Sequence, residues 1–323
     1  TADRGIVVHT MYALHRSDPL QELGDRGVPV VASLEVACRC VIELHRRGAW
    51  LERSPWRYAA PTRAPASSPP SGAEDRQGAR ARPAPGGRHA AVARALEEGR
   101  STLTEPEARA VLAEWGMSFG PTLVADSPEA TADALGELGG PAAVKLVSGH
   151  ITHKSDAGGV VLGVDSEAAA REAYRAIDRR SRAYAEREGM EIGPGPCRVQ
   201  LTPMLAAPRA ELLVGAYRDA RLGPVLTLGA GGIWVEEMAD VSVRLLPVED
   251  ADVMQMLGEL RISRRLGSAR GLPPVARDPI LHSVRAVVAA IVADPGIQEI
   301  EVNPLFVYED EVTPVDARVV VWR

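Results

Sequence analysis

Lysine is nearly absent. Lysine and arginine together number 37, yet only Lys145 and Lys154 are lysine, nine positions apart. Cysteine is scarce too: Cys38, Cys40 and Cys197 form neither a disulfide framework nor a metal-binding spacing. The first two fall in an apolar helical pattern and read as packing residues. Aromatic residues make up 4% of the chain, so the core must be built from Val, Leu, Ile and Ala. Excess positive charge is missing as well, and a formal net charge of -6 argues against a nucleic-acid partner. No apolar run approaches the ~20 residues that span a bilayer, so no membrane partner is expected. No signal-peptide pattern opens the chain, and the expected location is cytoplasmic.

What is present is ordinary for a soluble globular protein: 46% hydrophobic and 25% charged residues. A length of 323 residues allows two domains, or one large domain with an appendage. The chain starts Thr1-Ala2-Asp3-Arg4, without methionine, and Gly5-Ile6-Val7-Val8 already reads as the end of a strand. The expectation is a piece of a longer polypeptide whose start lies inside a domain. Residues 5–53 read as strand, helix, strand, helix, too little for a complete α/β domain. Residues 54–92 are rich in Pro, Ala, Ser, Gly and Arg without periodicity, which predicts a disordered linker.

From 93 onward the pattern is compact α/β. Thr104-Glu105-Pro106-Glu107 opens a helix that stops at Gly116, and Ser127-Pro128-Glu129 opens another that ends at Gly139-Gly140. A charged helix spans 166–188; further helices span 249–259 and 279–294. Strands are predicted at 122–125, 142–146, 160–164, 197–201, 211–217, 224–228, 233–237 and 243–246, with two more in 297–305 and 314–320.

The chemistry concentrates around the strand at 142–146. It carries Lys145 and leads into a polar loop with His150, His153, Lys154, Ser155 and Asp156; Gly158-Gly159 then turns the chain into the next strand. Lysine is a compact point charge on a flexible stem, suited to phosphate in a narrow site. His153 can accept a phosphoryl group, since neutral imidazole is available at physiological pH. Near the C-terminus, Glu301 and Asn303 are two apart on an extended segment and project to one face. A returning strand can bring Asp316 beside Asn303. A carboxylate and an amide oxygen, completed by water and phosphate oxygens, suit Mg²⁺; a solvent-facing polar hairpin is the plain alternative. Gly229-Ala230-Gly231-Gly232 follows a buried strand. Its N–H groups could cradle phosphate, but without a Walker spacing a tight turn is the better reading.

Together these pieces resemble the ATP-grasp domain of ADP-forming acyl-CoA synthetases, the acetate–CoA ligase group related to succinyl-CoA synthetase. The resemblance covers residues 96–323. It is carried by Val144-Lys145 with His153-Lys154-Ser155-Asp156-Ala157-Gly158-Gly159-Val160; by Glu211-Leu212-Leu213-Val214-Gly215; by Gly223-Pro224-Val225 with Gly229-Ala230-Gly231-Gly232-Ile233; and by Glu301-Val302-Asn303-Pro304-Leu305 with Val315-Asp316-Ala317-Arg318. It implies an α+β ATP-grasp fold at 93–323, preceded at 1–53 by the remnant of a flavodoxin-like α/β CoA-ligase domain.

The resemblance also implies roles. Lys145 contacts nucleotide phosphates, and Glu211, Gly231 and Gly232 line the nucleotide cleft. Asn303 and Asp316 hold Mg²⁺. His153 carries the phosphoryl group and Glu301 steadies it, although many members have aspartate there. Residues 200–204 line the adenine hinge through their backbone. ATP or ADP and Mg²⁺ are the implied cofactors, with CoA a substrate of the complete enzyme. The implied reaction is that of an acid–thiol ligase: acyl-CoA, phosphate and ADP exchange with acid, CoA and ATP through phosphohistidine. No counterpart of the first-site histidine is recognisable, and His9 and His15 lie outside any motif. A CoA-binding or ligase subunit, or missing N-terminal domains, is therefore the expected partner, in a hetero-oligomer. Another ATP-grasp carboxylate ligase, or a non-catalytic nucleotide-binding module, are the alternatives.

Overall fold

The computed structural model describes residues 8–9, 30–31, 38, 42, 88–151, 154–190, 195–232, 240–268 and 273–322. His153 and the strand expected at 233–237 lie outside the described residues, as does most of the expected linker. The chain divides into two units, Thr1–Pro65 and Ala66–Arg323. In the first, β1 (Val8–His9) and β2 (Val30–Val31) pair in parallel, Val8 opposite Val30. Parallel neighbours need a crossover connection; the helix expected between these two strands lies outside the described residues. Cys38 corrects one expectation, because it is exposed rather than packed, as is Ile42 four residues on. Helical periodicity identifies an apolar stripe but not what covers it.

The second unit starts earlier than position 93. Helix α1 (Ala90–Glu97) is capped by His89, whose Nδ1 accepts from the Ala91 N–H at 3.0 Å. Next comes α2 (Glu105–Glu114), with the expected capping box: the Thr104 N–H donates to Glu107 Oε2 at 2.8 Å. Helix α3 (Pro128–Leu138) is capped by Ser127 and closed by Gly139 at φ 71°, a left-handed position that suits glycine. Helix α4 (Glu167–Arg187) starts on the Ser166 cap and buries Ala170, Ala173, Tyr174 and Ile177 along one face.

Helices α3 and α4 cover a four-stranded sheet. Its strands are β3 (Leu123–Ala125), β4 (Ala142–Leu146), β5 (Val160–Val164) and β6 (Val199–Pro203), in the order β3-β6-β4-β5 with antiparallel neighbours. Val144, Ile177 and Leu201 are fully buried between the layers.

A second sheet contains six strands. These are β7 (Ala210–Asp219), β8 (Gly223–Ala230), β9 (Val241–Leu245), β10 (Ile297–Val307), β11 (Val312–Pro314) and β12 (Ala317–Val321). The order is β11-β10-β7-β8-β9, with β12 also pairing β10. Helices α5 (Asp250–Glu259), α6 (Ser263–Leu266) and α7 (Asp278–Ala293) pack on it with α1 and α2. Leu112, Leu212, Leu226, Met256, Ile280 and Ile300 fill this core. Each such side chain stabilises the fold by about 1.5–3 kcal/mol. Along β10, Ile300, Val302 and Leu305 point into the core, while Glu301 and Asn303 lie on the other, more accessible face. That alternation turns the strand's polar residues towards the functional site.

Candidate active site between the two sheets

β10 and β12 run antiparallel with Glu301 opposite Arg318 and Val302 opposite Ala317. The next step brings Asn303 to Asp316, where the Asn303 N–H donates to the Asp316 carbonyl at 3.2 Å. Asn303 Oδ1 accepts from the Gly232 N–H at 3.0 Å, and Asn303 Nδ2 donates to Glu301 Oε1 at 3.4 Å. Glu301 Oε2 also takes Arg318 Nη2 at 3.2 Å. Asn303 is the chain's only asparagine, a signal the sequence reading passed over.

Of the run 229–232, read as a tight turn, Gly229 and Ala230 are the end of β8, opposite Val241 and Leu212. The reason for glycine is close approach. A Cβ on Gly231 would meet the Leu212 carbonyl oxygen at 2.5 Å, and one on Gly232 would meet the Glu211 carboxylate. Both N–H groups are committed inside the protein, Gly231 to the Glu211 carbonyl at 2.8 Å and Gly232 to Asn303. These two glycines therefore set the cleft wall rather than offering bare amide donors.

Lys145 sits on β4, the strand buried along its whole length, and is itself only 6% exposed. Its ammonium crosses to the C-terminal strands and donates to the Val315 carbonyl at 2.9 Å. Arg109 Nη2 donates to the same oxygen at 3.0 Å. A continuous line of contacts thus runs from Lys145 through Val315, Asp316, Asn303 and Gly232 to Glu211, with Glu301 at its side. The expected phosphate, metal and cleft residues belong to it; His153 lies outside the described residues, and the expected adenine hinge at 200–204 falls on and just after β6.

The sequence reading missed the residue at the centre. Glu105, noted only as part of a helix start, is 2% exposed. Its carboxylate receives Arg109 Nε at 3.1 Å, Lys154 Nζ at 2.5 Å and Lys145 Nζ at 3.5 Å. Burial alone would raise its pKa, but Lys145 and Lys154 outweigh that and hold it far below the usual carboxylate range. Lys154 Nζ also donates to Asp316 Oδ1 at 3.1 Å. Burial would lower the Lys154 pKa, yet Asp316 and Glu105 raise it, so the ammonium stays charged. Desolvation and the Glu105 charge push Asp316 up to about 6, against the pull of Lys154 and Lys145. The Asp316 side chain is 39% exposed, so water on its open side works against that shift.

Lys154 is held by local geometry. The Gly159 N–H returns to the Lys154 carbonyl at 2.7 Å, and Gly158 takes φ 63°. A Cβ on Gly159 would meet Leu146 Cβ at 2.9 Å. The paired glycines therefore close the loop tightly against β4 and aim Lys154 at Glu105.

One carboxylate, one amide oxygen and a nearby second carboxylate are a donor set for a hard cation that brings its own phosphate and water ligands, not for an all-protein cage. No group of three or more His, Cys, Asp or Glu able to hold a metal occurs among the described residues. The residues fit Mg²⁺ carried with a nucleotide.

Residues 94–321 match the ATP-grasp domain family model. The chain belongs to the ATP-grasp family. The beta subunit of acetate–CoA ligase [ADP-forming] I from Pyrococcus furiosus is 36% identical over 232 residues, covering 71% of this chain and 95% of that subunit. Acetyl-coenzyme A synthetase 1 of Ca. Korarchaeum cryptofilum, solved with coenzyme A and Ca-AMPCP, superposes with a TM-score of 0.64 at 31% identity, over 72% of this chain and 98% of that one. The same protein with coenzyme A and Mg-AMPPCP, its phosphohistidine segment pointing towards the nucleotide site, gives 0.58 at 29% identity over 72% and 98%. This ATP-grasp chain is the beta-subunit-like part of an ADP-forming acyl-CoA synthetase, a ligase. Among its described residues no helix is long and apolar enough to cross a membrane.

Proposed function

We propose that this chain binds Mg²⁺ with ATP or ADP between its two sheets and moves a phosphoryl group between the nucleotide and His153. The observation that supports this most directly is Lys145 reaching from the small sheet to Val315, the neighbour of Asp316, whose carbonyl takes the Asn303 N–H. In the ATP direction, an imidazole nitrogen of His153 forms a bond to the γ-phosphorus as the bond to the β,γ-bridging oxygen breaks and ADP leaves. Lys145 shifts from the Val315 carbonyl to the phosphates. Asn303 and Asp316 would hold Mg²⁺, which would supply neutralisation of phosphate charge. Glu211 and the Gly231-Gly232 wall bound the nucleotide, and Glu301 orients the histidine. Such transfer depends on positioning and charge neutralisation more than on covalent help from the protein.

The phosphoryl group then serves thioester chemistry on a CoA-binding partner, a separate subunit in a hetero-oligomer or N-terminal domains of a longer chain. The relatives named as beta subunits support a partner of this kind. We further assign 1–53 to the remnant of such a CoA-ligase domain, the residues from 54 up to the folded unit at Ala90 to a tether, and the protein to the cytoplasm.

Intact-mass measurement after incubation with Mg·ATP, at neutral to basic pH where phosphohistidine survives, tests the half-reaction. One phosphoryl addition is expected, mapped to His153, absent in His153→Ala and discharged by ADP. ATP binding without phosphorylation, even with a CoA-ligase subunit added, would leave a nucleotide-binding module. No ATP binding would sink the reading.

A further inference from the structure

Glu105 carries more charge partners than its place in the helix needs. Arg109, one turn along α2, already pairs with it at 3.0 Å. Two more cations come from distant segments: Lys145 from β4 and Lys154 from the loop beyond it. They are the only lysines in the chain. Burying two ammonium groups against one carboxylate is costly unless each is well paired. Lys154 is paired twice, to Glu105 Oε2 at 2.5 Å and to Asp316 Oδ1 at 3.1 Å. Asp316 Oδ1 takes the Ala317 N–H at 3.0 Å as well. An ammonium and a divalent cation want the same carboxylate oxygen and repel each other.

We infer that Glu105 is a positioning residue that draws Lys154 away from Asp316 and so sets how readily Asp316 accepts a divalent cation. The inference rests on the proposed assignment of Asp316 as a Mg²⁺ ligand. Glu105 suits the part because it cannot move: Arg109 and the first turn of α2 anchor it, and its side chain is almost wholly enclosed. Lys154, on a flexible stem, is the member that can shift between two fixed anions. With Glu105 in place, the shorter contact wins and Asp316 stays open to metal. Without it, Lys154 has Asp316 alone and competes fully.

The test is calorimetric titration of ADP into the full chain at a series of Mg²⁺ concentrations, for wild type, Glu105→Gln, Lys154→Met and the double variant. Glu105→Gln should raise the half-saturating Mg²⁺ concentration by about tenfold, a usual coupling between contacting charged groups. Lys154→Met should lower it, and the double variant should return close to the Lys154→Met value. That return separates positioning from a structural role, because a damaged fold is not repaired by removing a second residue. Should Glu105→Gln fail to fold in a thermal melt, Lys154→Met alone decides: an unchanged or raised Mg²⁺ requirement overturns the inference. So does a Glu105→Gln protein that folds and keeps the wild-type Mg²⁺ requirement. Wild type that binds no ADP at any Mg²⁺ concentration removes the nucleotide reading itself, and this inference with it.

Discussion

At the scale of single residues, Lys145 shows how much a point charge depends on where its backbone sits. An arginine-rich chain keeps lysine on this buried strand, 6% exposed and aimed at one carbonyl oxygen. Lys145→Ala should weaken ADP binding about 10- to 100-fold, the loss expected for a hydrogen bond to a charged group. Lys145→Arg should not restore it, because a planar fork on a longer stem does not place a compact point charge where the ammonium sits. Calorimetric titration with ADP reads both; wild-type affinity in either variant would remove Lys145 from the phosphate site. The pairing of Lys145 with loop chemistry was legible in the sequence, since rarity singled it out. Glu105 was not. A glutamate in the first turn of a helix has a sufficient local reason to be there, through the helix dipole, and nothing local reveals that both lysines converge on it. Its signal was indirect: two lysines headed for the interior must meet an anion somewhere.

At the scale of elements, helices α2, α3 and α4 were readable because their ends are written in short codes. Ser127 and Ser166 cap, Pro128 starts, and Gly139 and Gly116 stop in left-handed backbone. Helix α1 escaped because its cap is His89 and its first turn continues the alanine and arginine of the segment before it. The pairing of β10 with β12 followed from alternation, whereas β8 ran on through Ala230 because sheet contacts, not local turn preference, decide where a strand ends. The α2 cap makes its own prediction. Burial would raise Glu107, yet Arg100, Arg94 and the Thr104 N–H hold it down at about 2. A depressed carboxylate contributes stability that is complete above its unfolded pKa near 4.5 and drains away as the pH falls towards about 2. Glu107→Gln should therefore cost about 2–3 kcal/mol at pH 7, and the gap from wild type should close between pH ~4.5 and ~2. Urea denaturation across that pH range checks it; a gap that stays constant would mean that the Glu107 charge contributes nothing.

At the scale of the whole molecule, the contacts of the proposed site all fall between Glu105 and Arg318, and the second unit starts folding at Ala90. Its core draws α1, α2, α5 and α7 onto the large sheet, and α3 and α4 onto the small one. The two cores meet the nucleotide chemistry through buried charge, since Lys145 and Lys154 belong to one sheet's connections while Glu105 and Asp316 belong to the other's. Among the described residues, every contact of that arrangement lies within 105–318. A chain reduced to 88–323 should therefore keep a single cooperative melt and bind Mg·ADP within about threefold of the full chain, less than the ~1.4 kcal/mol of a tenfold change. Thermal melting and calorimetry on both lengths measure this directly. Cooperative folding with ADP binding lost would place a nucleotide contact in 1–87, and a failure to fold would extend the structural unit forward of Ala90. Retained binding would instead show that nucleotide binding does not need those residues. The full and shortened chains would then separate only when a CoA-binding partner, acid and CoA are supplied together.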